Sequence, residues 1–380
     1  MPYSGVRILD LSHDLGRYTG RLFADLGAEV VRIEPPGGLA DRKDLARKGK
    51  ESADGPAAYE FEFFNASKQS RVIDVDSAEG RAEFAALMAS SQVVLLERGG
   101  PLFDELAWVK SLSAAAVVTS VSPFGRSGPW ADAPSSDLVL QAAGGIAWLS
   151  GRLDGPPLRL PGSQATMITG VYAAVATAMA LYDAMATGRG HVIDVSTQEC
   201  IAHSLQNSIQ VYDFEHRVSM RGGEGTRDAT QDMFACKDGL ISLSANLTTG
   251  VSWKSLLEWV HETGHPAWEE LARDRWKDRT WRMTAEARRI FRTTLESFTT
   301  GYTKEELTQE SQKRRIVLAP VSTVLDVLDD PQLRHRHFFE SLALAAHAQG
   351  VLFPGAPYRF SEPVASIAPA PSLGQMRSSR

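Results

Sequence analysis

Two neighbouring stretches near the start of the chain, Gly5-Val-Arg-Ile-Leu-Asp-Leu11 and Ala24-Asp-Leu-Gly-Ala-Glu-Val-Val-Arg-Ile-Glu34, decide the fold class. The first contains a short apolar run that predicts a β-strand. The second begins at the end of a helical pattern with Leu22 and Phe23 on its apolar face. It continues into a β-branched run that is typical of a buried parallel strand. Strand, helix and strand in this order predict a right-handed parallel unit.

The same alternation continues along the chain and predicts a mostly parallel sheet with helices on its faces. Further strands are expected at residues 72–75, 93–96, 115–121 and 191–195, and helices at residues 77–90 and 165–186. The turn after the first strand, Ser12-His-Asp-Leu-Gly16, lacks the Gly-x-Gly-x-x-Gly pattern of dinucleotide sites. We therefore expect an α/β fold without a dinucleotide site of the usual kind.

The character of the chain changes after residue 215, which indicates a second domain. Residues 216–224 are polar and rich in glycine, as linkers often are. Residues 233–244 predict a hairpin, and the charged helical patterns that follow contain five of the eight tryptophans. The expected organisation is a large α/β domain of residues 1–215 and 320–380. A smaller α+β domain, residues 225–315, is inserted between linkers at 216–224 and 316–319.

The composition excludes several classes of protein. With 40 Lys and Arg against 46 Asp and Glu, the net charge of −6 argues against nucleic acid as the main partner. Cys200 and Cys236 are the only cysteines, so neither a disulfide scaffold nor a cysteine-based metal site is expected. The most apolar run, residues 171–181, has about half of the roughly 20 residues that a membrane-spanning helix needs. The expectation is a cytoplasmic protein without a membrane partner and without a metal.

Eight segments, in order along residues 5–374, together resemble the family III CoA-transferases of the CaiB/BaiF type, which include formyl-CoA transferase and α-methylacyl-CoA racemase. Two of them are the opening stretches quoted above. The others are Phe64-Asn-Ala-Ser-Lys-Gln-Ser70 before Ile73-Asp-Val75, Ser122-Pro-Phe-Gly-Arg-Ser-Gly-Pro129, Asp137-Leu-Val-Leu-Gln-Ala142, Gly188-Arg-Gly190 before Ile193-Asp-Val-Ser196, Asp330-Pro-Gln-Leu-Arg334 and Pro369-Ala-Pro-Ser-Leu-Gly374. Their combination, rather than any single motif, identifies the chain as a member.

The resemblance implies a Rossmann-like large domain, a smaller domain, and two chains interlocked like links. It also implies an acyl-CoA substrate between the domains and a carboxylic acid as the second substrate. In the family, an aspartate at the start of the central helix attacks the thioester and forms a mixed anhydride. CoA thiolate reopens this anhydride, and CoA then passes to a second carboxylate. A carboxylate suits the cycle because its anhydride stays reactive enough for a thiolate to attack.

Thr166 stands where the resemblance places that aspartate, at the end of Arg159-Leu-Pro-Gly-Ser-Gln-Ala-Thr166. A threonine hydroxyl needs a base to ionise, and an acyl ester on it is not easily reopened, so this residue is a poor substitute. We expect Ser163 or Thr166 to cap the helix instead. Asp137 and Gln164 are further candidates for polarising a substrate carbonyl.

The phosphates of CoA call for cations, and the candidates are Lys68, Arg71 and Arg98, with Arg42 as a further one. Lys68 is favoured because it keeps its place in the family motif. The family arginine that meets CoA phosphates corresponds here to Glu105, a reversed charge.

Three more candidates for CoA contact lie near predicted strand ends. Asp14 and Leu15 belong to the turn after the first strand, where ligands enter open α/β sheets. Glu97 lies in Leu96-Glu97-Arg98, which departs from the Glu-Asn-aromatic segment that the family has at this place. Residues 222–225 resemble either a mobile glycine loop over the active site or a linker, and the composition favours the linker.

Racemase chemistry is not expected. Removing and returning a proton beside a thioester needs two acid/base groups on opposite faces of the substrate. The racemases of the family place a histidine and an aspartate at positions that are Ser136 and Thr166 here. Both groups are therefore absent.

Three functional hypotheses follow. In the first, the chain is the aspartate-less subunit of a CoA-transferase and pairs with a homologous chain that carries the acid. In the second, it is an active enzyme with altered chemistry that uses Thr166, Gln164 and Asp137. In the third, it is a non-catalytic regulator that binds acyl-CoA. A homodimer and a heterodimer both remain open.

Overall fold

The structure, a computed structural model, describes residues 1–42, 56–152, 155–221, 228–245, 250–344, 347–361 and 367–376. The chain divides into two compact units. Unit 1 comprises residues 1–150, 157–218 and 332–380, and unit 2 comprises residues 151–156 and 219–331. Unit 1 therefore uses both ends of the chain. The glycine-rich segment 222–225 lies outside the described residues.

Unit 1 is built on a parallel sheet of six strands in the order β3-β2-β1-β4-β5-β6. The strands are β1 Arg7–Asp10, β2 Glu29–Glu34, β3 Gln69–Val72, β4 Val93–Glu97, β5 Val117–Ser122 and β6 Val192–Ser196. The chain runs outward from β1 to β3 and then returns to the other side of β1. The order therefore reverses between β1 and β4, and this is where α/β sheets open a crevice at their carboxyl ends.

Helices cover both faces of the sheet, as parallel strands require. They are α1 Arg17–Asp25, α2 Pro56–Asn65, α3 Ala78–Met88, α4 Leu106–Leu112, α5 Asp137–Ala143, α6 Ile146–Leu149, α7 Gln164–Thr187, α8 Thr197–His203 and α9 Ser208–Glu215. One core joins strand residues such as Leu9 and Val94 to Phe84 of α3. The opposite core joins Ile8 to Phe23 of α1, and α7 contributes to it as well.

Helix α7 packs closely against α1, and glycine makes this approach possible. A methyl group on Gly170 of α7 would lie 2.6 Å from Cβ of Tyr18 on α1, closer than side-chain carbons can approach. The helix ends at Gly188, which has φ +71°, as left-handed C-terminal caps commonly do. It has 24 residues and extends well beyond the predicted apolar run. By length and composition alone α7 could cross a membrane, although part of it is buried inside the protein.

Unit 2 has its own sheet and its own core. An antiparallel sheet in the order β7-β8-β9 is formed by β7 Gln231–Cys236, β8 Gly239–Ser244 and β9 Leu318–Pro320. The helices are α10 Val251–Glu262, α11 Ala267–Leu271, α12 Arg279–Arg282, α13 Ala285–Thr299, α14 Lys304–Arg314 and α15 Val324–Asp329. Trp253, Trp259 and Trp276 lie in the core among Phe234, Phe291 and leucines.

The end of the chain returns to unit 1. After α16 Pro331–His335, a hairpin of β10 Phe339–Leu344 and β11 His347–Pro354 follows. The tail then runs beside β3, where the Ser70 N–H donates to the carbonyl of Gln375 at 2.9 Å. The edge strand of the parallel sheet is covered in this way.

The predicted α/β fold with a parallel sheet is confirmed, and the structure corrects one of its strands. Strand β3 covers Gln69–Val72 rather than residues 72–75. The apolar residues that suggested the later position, Ile73 and Val75, follow the strand and are buried in the core below it. Ser70 is polar and yet fully buried, because its hydroxyl donates to Glu34 on β2 at 2.6 Å.

Candidate functional site

The carboxyl ends of β1 to β4 surround a cavity of about 420 Å³. It is lined by residues 38–40, 74–76 and 99–102 together with His13 and Pro35. Its position at the reversal of strand order is where the fold predicts a ligand crevice. The predicted site turn contributes His13 to this cavity, a residue that the sequence analysis did not single out.

The carboxylate of Glu97 is bound by the protein itself at this edge, so its role here is structural. It is buried at the end of β4 and accepts hydrogen bonds from four successive backbone N–H groups, those of His13, Asp14, Leu15 and Gly16. The distances are 2.8, 2.9, 2.7 and 3.3 Å. These amides precede α1 and are the kind of group that binds phosphate in other proteins. In this chain an internal carboxylate already satisfies them.

Lys68, the favoured cation, lies in the interior. Its side chain is fully buried, and its ammonium donates to Asp10 at 2.8 Å, to the carbonyl of Arg17 at 2.7 Å and to Asn65 at 3.1 Å. These three acceptors use all of its protons. Burial lowers the pKa of Lys68, and the neighbouring Asp10 offsets part of that effect. The expectation that Lys68 meets a phosphate of CoA has no support in this geometry.

The other cations are also paired. Arg42 binds Glu34 through Nε and Nη2 at 2.7 and 2.8 Å. Burial alone would raise the pKa of Glu34, but hydrogen bonds from Arg42 and Ser70 and the charge of Arg32 outweigh it and lower the pKa to about 2. Arg71 pairs with Glu83 at the surface, away from the residues that line the cavity.

Arg98 remains beside the cavity. It precedes Gly99, which lines the cavity, and its partner Asp132 has a side chain that is 91% exposed. Such a pair is easily exchanged for another anion because both partners are near water. Glu105, the reversed charge, is held by two hydrogen bonds from Arg81.

A second group of side chains surrounds the start of α7, where the family aspartate is expected. Thr166 is 2% exposed in the first turn of the helix and carries no acid. Gln164 donates to the carbonyl of Pro161 at 2.9 Å. The prediction that Ser163 or Thr166 caps the helix is wrong. Asp137, from the start of α5, accepts the Ala165 N–H at 2.9 Å and performs this function.

Two carboxylates, both from outside α7, therefore stand at its first turn. Asp137 also accepts from Gln141 at 2.7 Å, so both of its oxygens are engaged. Glu60 of α2 accepts from the Ser163 hydroxyl and from Arg17 at 2.6 Å. Sequence reasoning missed Glu60, because its place in a helix of aromatic and acidic residues resembles a solvated surface. Neither carboxylate belongs to the helix that carries the nucleophile in the family.

No cluster of metal-ligating side chains occurs among the residues that the structure describes. The arrangement at α7 can orient and hydrogen-bond a carbonyl, since a helix N-terminus supplies backbone N–H groups. An anhydride on α7 requires a carboxylate that Thr166 does not provide.

Comparison with known proteins shows the family of the chain. CoA-transferase family III matches residues 3–377. The chain is 33% identical over 371 residues to the succinyl-CoA:(R)-benzylsuccinate CoA-transferase subunit BbsE of Thauera aromatica, covering 95% of this chain and 88% of that protein. It is 27% identical to the succinate–glutarate CoA-transferase of Agrobacterium fabrum, covering 98% and 93%.

Solved structures show the same fold. The crystal structure of a CAIB/BAIF family protein from Brucella suis aligns with a TM-score of 0.81 and 26% identity, covering 98% of this chain and 97% of that one. The match extends over nearly the whole of both chains, so it includes the sheet, the helices and unit 2. The chain therefore belongs to CoA-transferase family III.

Proposed function

We propose that this chain is the aspartate-less subunit of a two-chain CoA-transferase, in which a homologous chain supplies the nucleophilic carboxylate. The observation that carries the proposal is Thr166 at the start of α7, buried and without an acid. The pair moves CoA from an acyl-CoA thioester to a carboxylic acid, as the family does. The reaction belongs in the cytoplasm, the compartment expected for this composition.

The relative from Thauera aromatica supports the two-chain interpretation, since it is named as a subunit. That relative and the Agrobacterium fabrum enzyme are both named for succinyl or succinate transfer. Succinyl-CoA is therefore the first donor to test, with dicarboxylic acids as acceptors.

The exposed face of α7 is evidence in favour of a partner chain. Five apolar side chains at helical spacing are 47–80% exposed along this face, which we call the α7 stripe; they are Val171, Val175, Met179, Tyr182 and Met185. A continuous apolar surface of this kind on a soluble protein marks an interface. We assign it to a homologous chain of the same fold, because interlocking of two such chains is the assembly expected for the family.

The chemistry then takes place on the partner's carboxylate. That carboxylate attacks the thioester carbonyl, the C–S bond breaks, and CoA leaves as thiolate from a mixed anhydride. The thiolate then attacks the aspartyl carbonyl of the anhydride, which releases the first acid and leaves CoA as a thioester on the partner's aspartate. The second acid attacks this enzyme thioester and expels the thiolate from a second mixed anhydride. Attack of the thiolate on the acyl carbonyl of that anhydride forms the new acyl-CoA and frees the aspartate. The present chain contributes shape and contacts. Asp137 is engaged through both of its oxygens, and Oε1 of Glu60 accepts from Ser163 and Arg17, so these contacts connect α2 and α5 to the start of α7.

The experiment is a reconstitution with an aspartate-bearing member of the same family. We expect no exchange of CoA between succinyl-CoA and an acceptor acid by this chain alone, and full activity of the purified pair. Replacing the partner's aspartate with asparagine is expected to abolish activity. Turnover by this chain alone would contradict the proposal and favour altered chemistry at Thr166, Gln164 and Asp137.

Two controls separate the remaining hypotheses. Thr166→Ala in the active pair is expected to leave turnover unchanged, because this hydroxyl takes no part in the cycle. Native mass spectrometry distinguishes a subunit, which co-purifies with the homologue, from a regulator, which binds acyl-CoA without a homologous partner.

A further inference from the structure

Residues 367–376, which we call the C-terminal strap, lie along the edge strand β3 and the end of α2. Ile367 anchors the strap in a small apolar cluster that includes Leu342 and Phe353 of the preceding hairpin. Beyond Ile367, only Pro371 of the strap is buried. A terminal segment with so little buried apolar surface is expected to detach at a lower free energy than the core needs to unfold.

Backbone hydrogen bonds fasten the middle of the strap to the end of α2. The N–H of Ser67 donates to the carbonyl of Ala368 at 2.8 Å, and the N–H of Ala368 donates to the Ser67 hydroxyl at 3.1 Å. The N–H of Ala370 donates to Glu62 of α2 at 2.9 Å. These bonds bring the rest of the strap to β3.

The last part of the strap contacts two groups that also hold the buried carboxylate of Glu34. Arg42 donates through Nη2 to the carbonyl of Pro371 at 2.8 Å and to Glu34 at 2.8 Å. The Ser70 hydroxyl accepts the N–H of Gly374 at 3.0 Å and donates to Glu34 at 2.6 Å. The strap therefore covers two partners of this carboxylate.

Glu34 and Arg42 in turn hold residues 35–42, which we call the wall segment because part of it lines the cavity at the carboxyl edge of the sheet. The N–H of Leu39 donates to Glu34 at 3.4 Å, and the N–H of Arg42 donates to the Leu39 carbonyl at 3.1 Å. Gly38 leaves room for the arginine, since a methyl group on it would lie 2.8 Å from Cδ of Arg42. The wall segment is thus folded around the same ion pair that the strap covers.

We propose that the C-terminal strap is a conformational device that controls how firmly the wall of this cavity is held. While the strap is bound, Glu34 is shielded from water, so its hydrogen bonds and its attraction to Arg42 are strong. When the strap detaches, water reaches both groups and competes for their hydrogen bonds, and the wall segment loosens. The inference concerns contacts within unit 1 and does not depend on the proposed function.

Hydrogen exchange of the full chain, read by mass spectrometry of its peptides, tests the proposal. Ile367→Glu places a charge at a position that is 8% exposed and should detach the strap. We expect exchange to become about tenfold faster or more in the strap and also in the wall segment, because both then open more often. Peptides that cover β4 and β5 should keep their exchange rates within about twofold, since their protection comes from the core.

Leu373→Glu is the matched control for this change. It places the same charge in the same strap, but Leu373 is 42% exposed and lies outside the apolar cluster. Exchange in the strap and in the wall segment should stay within about twofold, as is usual for surface substitutions.

Gly374→Ala is a second test that leaves the apolar cluster intact. Gly374 has φ +75°, so an alanine strains the strap at its contact with Ser70. It should speed exchange in the end of the strap and in the wall segment by about threefold or more. Because coupling is reciprocal, Glu34→Gln should also speed exchange in the strap by about threefold or more.

Two outcomes overturn the proposal. One is faster exchange in the strap with no change in the wall segment, because the strap then does not hold the wall. The other is a strap that stays protected in both Ile367→Glu and Gly374→Ala, because it is then a fixed part of the fold.

Discussion

At the scale of single residues, the most informative position is one where a side chain is polar but chemically unsuited to the family reaction. Thr166 lies in the first turn of α7 and is buried, so a packed threonine side chain stands where the family has its aspartate. Two carboxylates approach the same turn, but Asp137 and Glu60 each have both a structural partner and a place on another element. Negative charge is thus present near the position of the family nucleophile, but on side chains that belong to α2 and α5 rather than to α7.

The buried carboxylate of Glu97 can be tested for its contribution to the stability of the fold. Glu97→Gln keeps one acceptor oxygen and turns an amide group toward N–H donors, so we expect a loss of about 2–4 kcal/mol in the free energy of unfolding. Urea unfolding measures this loss. Glu29→Gln, at a side chain that is 35% exposed, should cost less than about 1 kcal/mol. Equal effects of the two changes would show that the four amide contacts do not stabilise the fold.

The lowered pKa of Glu34 predicts that the free energy of unfolding depends on pH. Its pKa falls from an ordinary 4.5 to about 2 in the folded chain, so the folded state binds this proton less readily than the unfolded state. The stabilisation, about 3 kcal/mol, is complete above pH 4.5 and is lost as the pH falls toward 2. Unfolding by urea at several pH values should show this slope, and Glu34→Gln should flatten it. An unchanged slope in the variant would contradict the assignment.

Sequence reasoning was least able to foresee which charges are buried. Lys68 keeps its place in a family motif, and from this it was expected to face a ligand. Its main partner Asp10 is 58 residues away in sequence. Asp10 ends β1, whereas Lys68 precedes β3, so no local pattern predicts the pair. Paired charges can be fully buried, whereas hydropathy assigns every lysine to the surface.

At the scale of elements, alternating apolar runs predicted the strands and helices of the parallel sheet, because buried parallel strands need side chains that are apolar on both faces. The exception was β3, whose polar residues pair with β2 and with the chain end. The pairing depends on Glu34 and Gln375, which are distant in sequence. The start of α7 was placed correctly, but its cap comes from another helix.

The cap can be tested directly. Asp137→Ala removes the acceptor for the Ala165 N–H and should destabilise unit 1 by about 1–2 kcal/mol. Ser163→Ala is the matched change. It removes the hydrogen bond from the Ser163 hydroxyl to Glu60 but no capping hydrogen bond to the described start of α7, so it should cost less than about 1 kcal/mol and leave the exchange of the first-turn amides unchanged. Hydrogen exchange of the first-turn amides reports the difference. The reverse order of effects would restore the cap to Ser163.

At the scale of the whole molecule, the two units have separate cores, and the proposed pairing depends on what covers the α7 stripe. Met179→Glu places a charge on the α7 stripe, where the side chain is 69% exposed in the single chain. The isolated chain should therefore keep its stability, while affinity for the homologous chain should fall by about a hundredfold or more. Sedimentation or native mass spectrometry measures this.

Val324→Glu is the control for that change, since Val324 is 77% exposed on α15 of unit 2 and lies outside the α7 stripe. We expect it to leave the affinity within about threefold, as most exposed positions away from an interface do. Pairing that survives Met179→Glu would show that the stripe is covered by something other than the homologous chain.

The central claim, that the covalent cycle runs on the partner's acid, is tested most directly by trapping. The reconstituted pair is treated with succinyl-CoA and hydroxylamine, which converts an activated carboxylate to a hydroxamate, and both chains are mapped by mass spectrometry. The account predicts a hydroxamate on the partner's aspartate and none on this chain. A hydroxamate on Asp137 or Glu60 would contradict it.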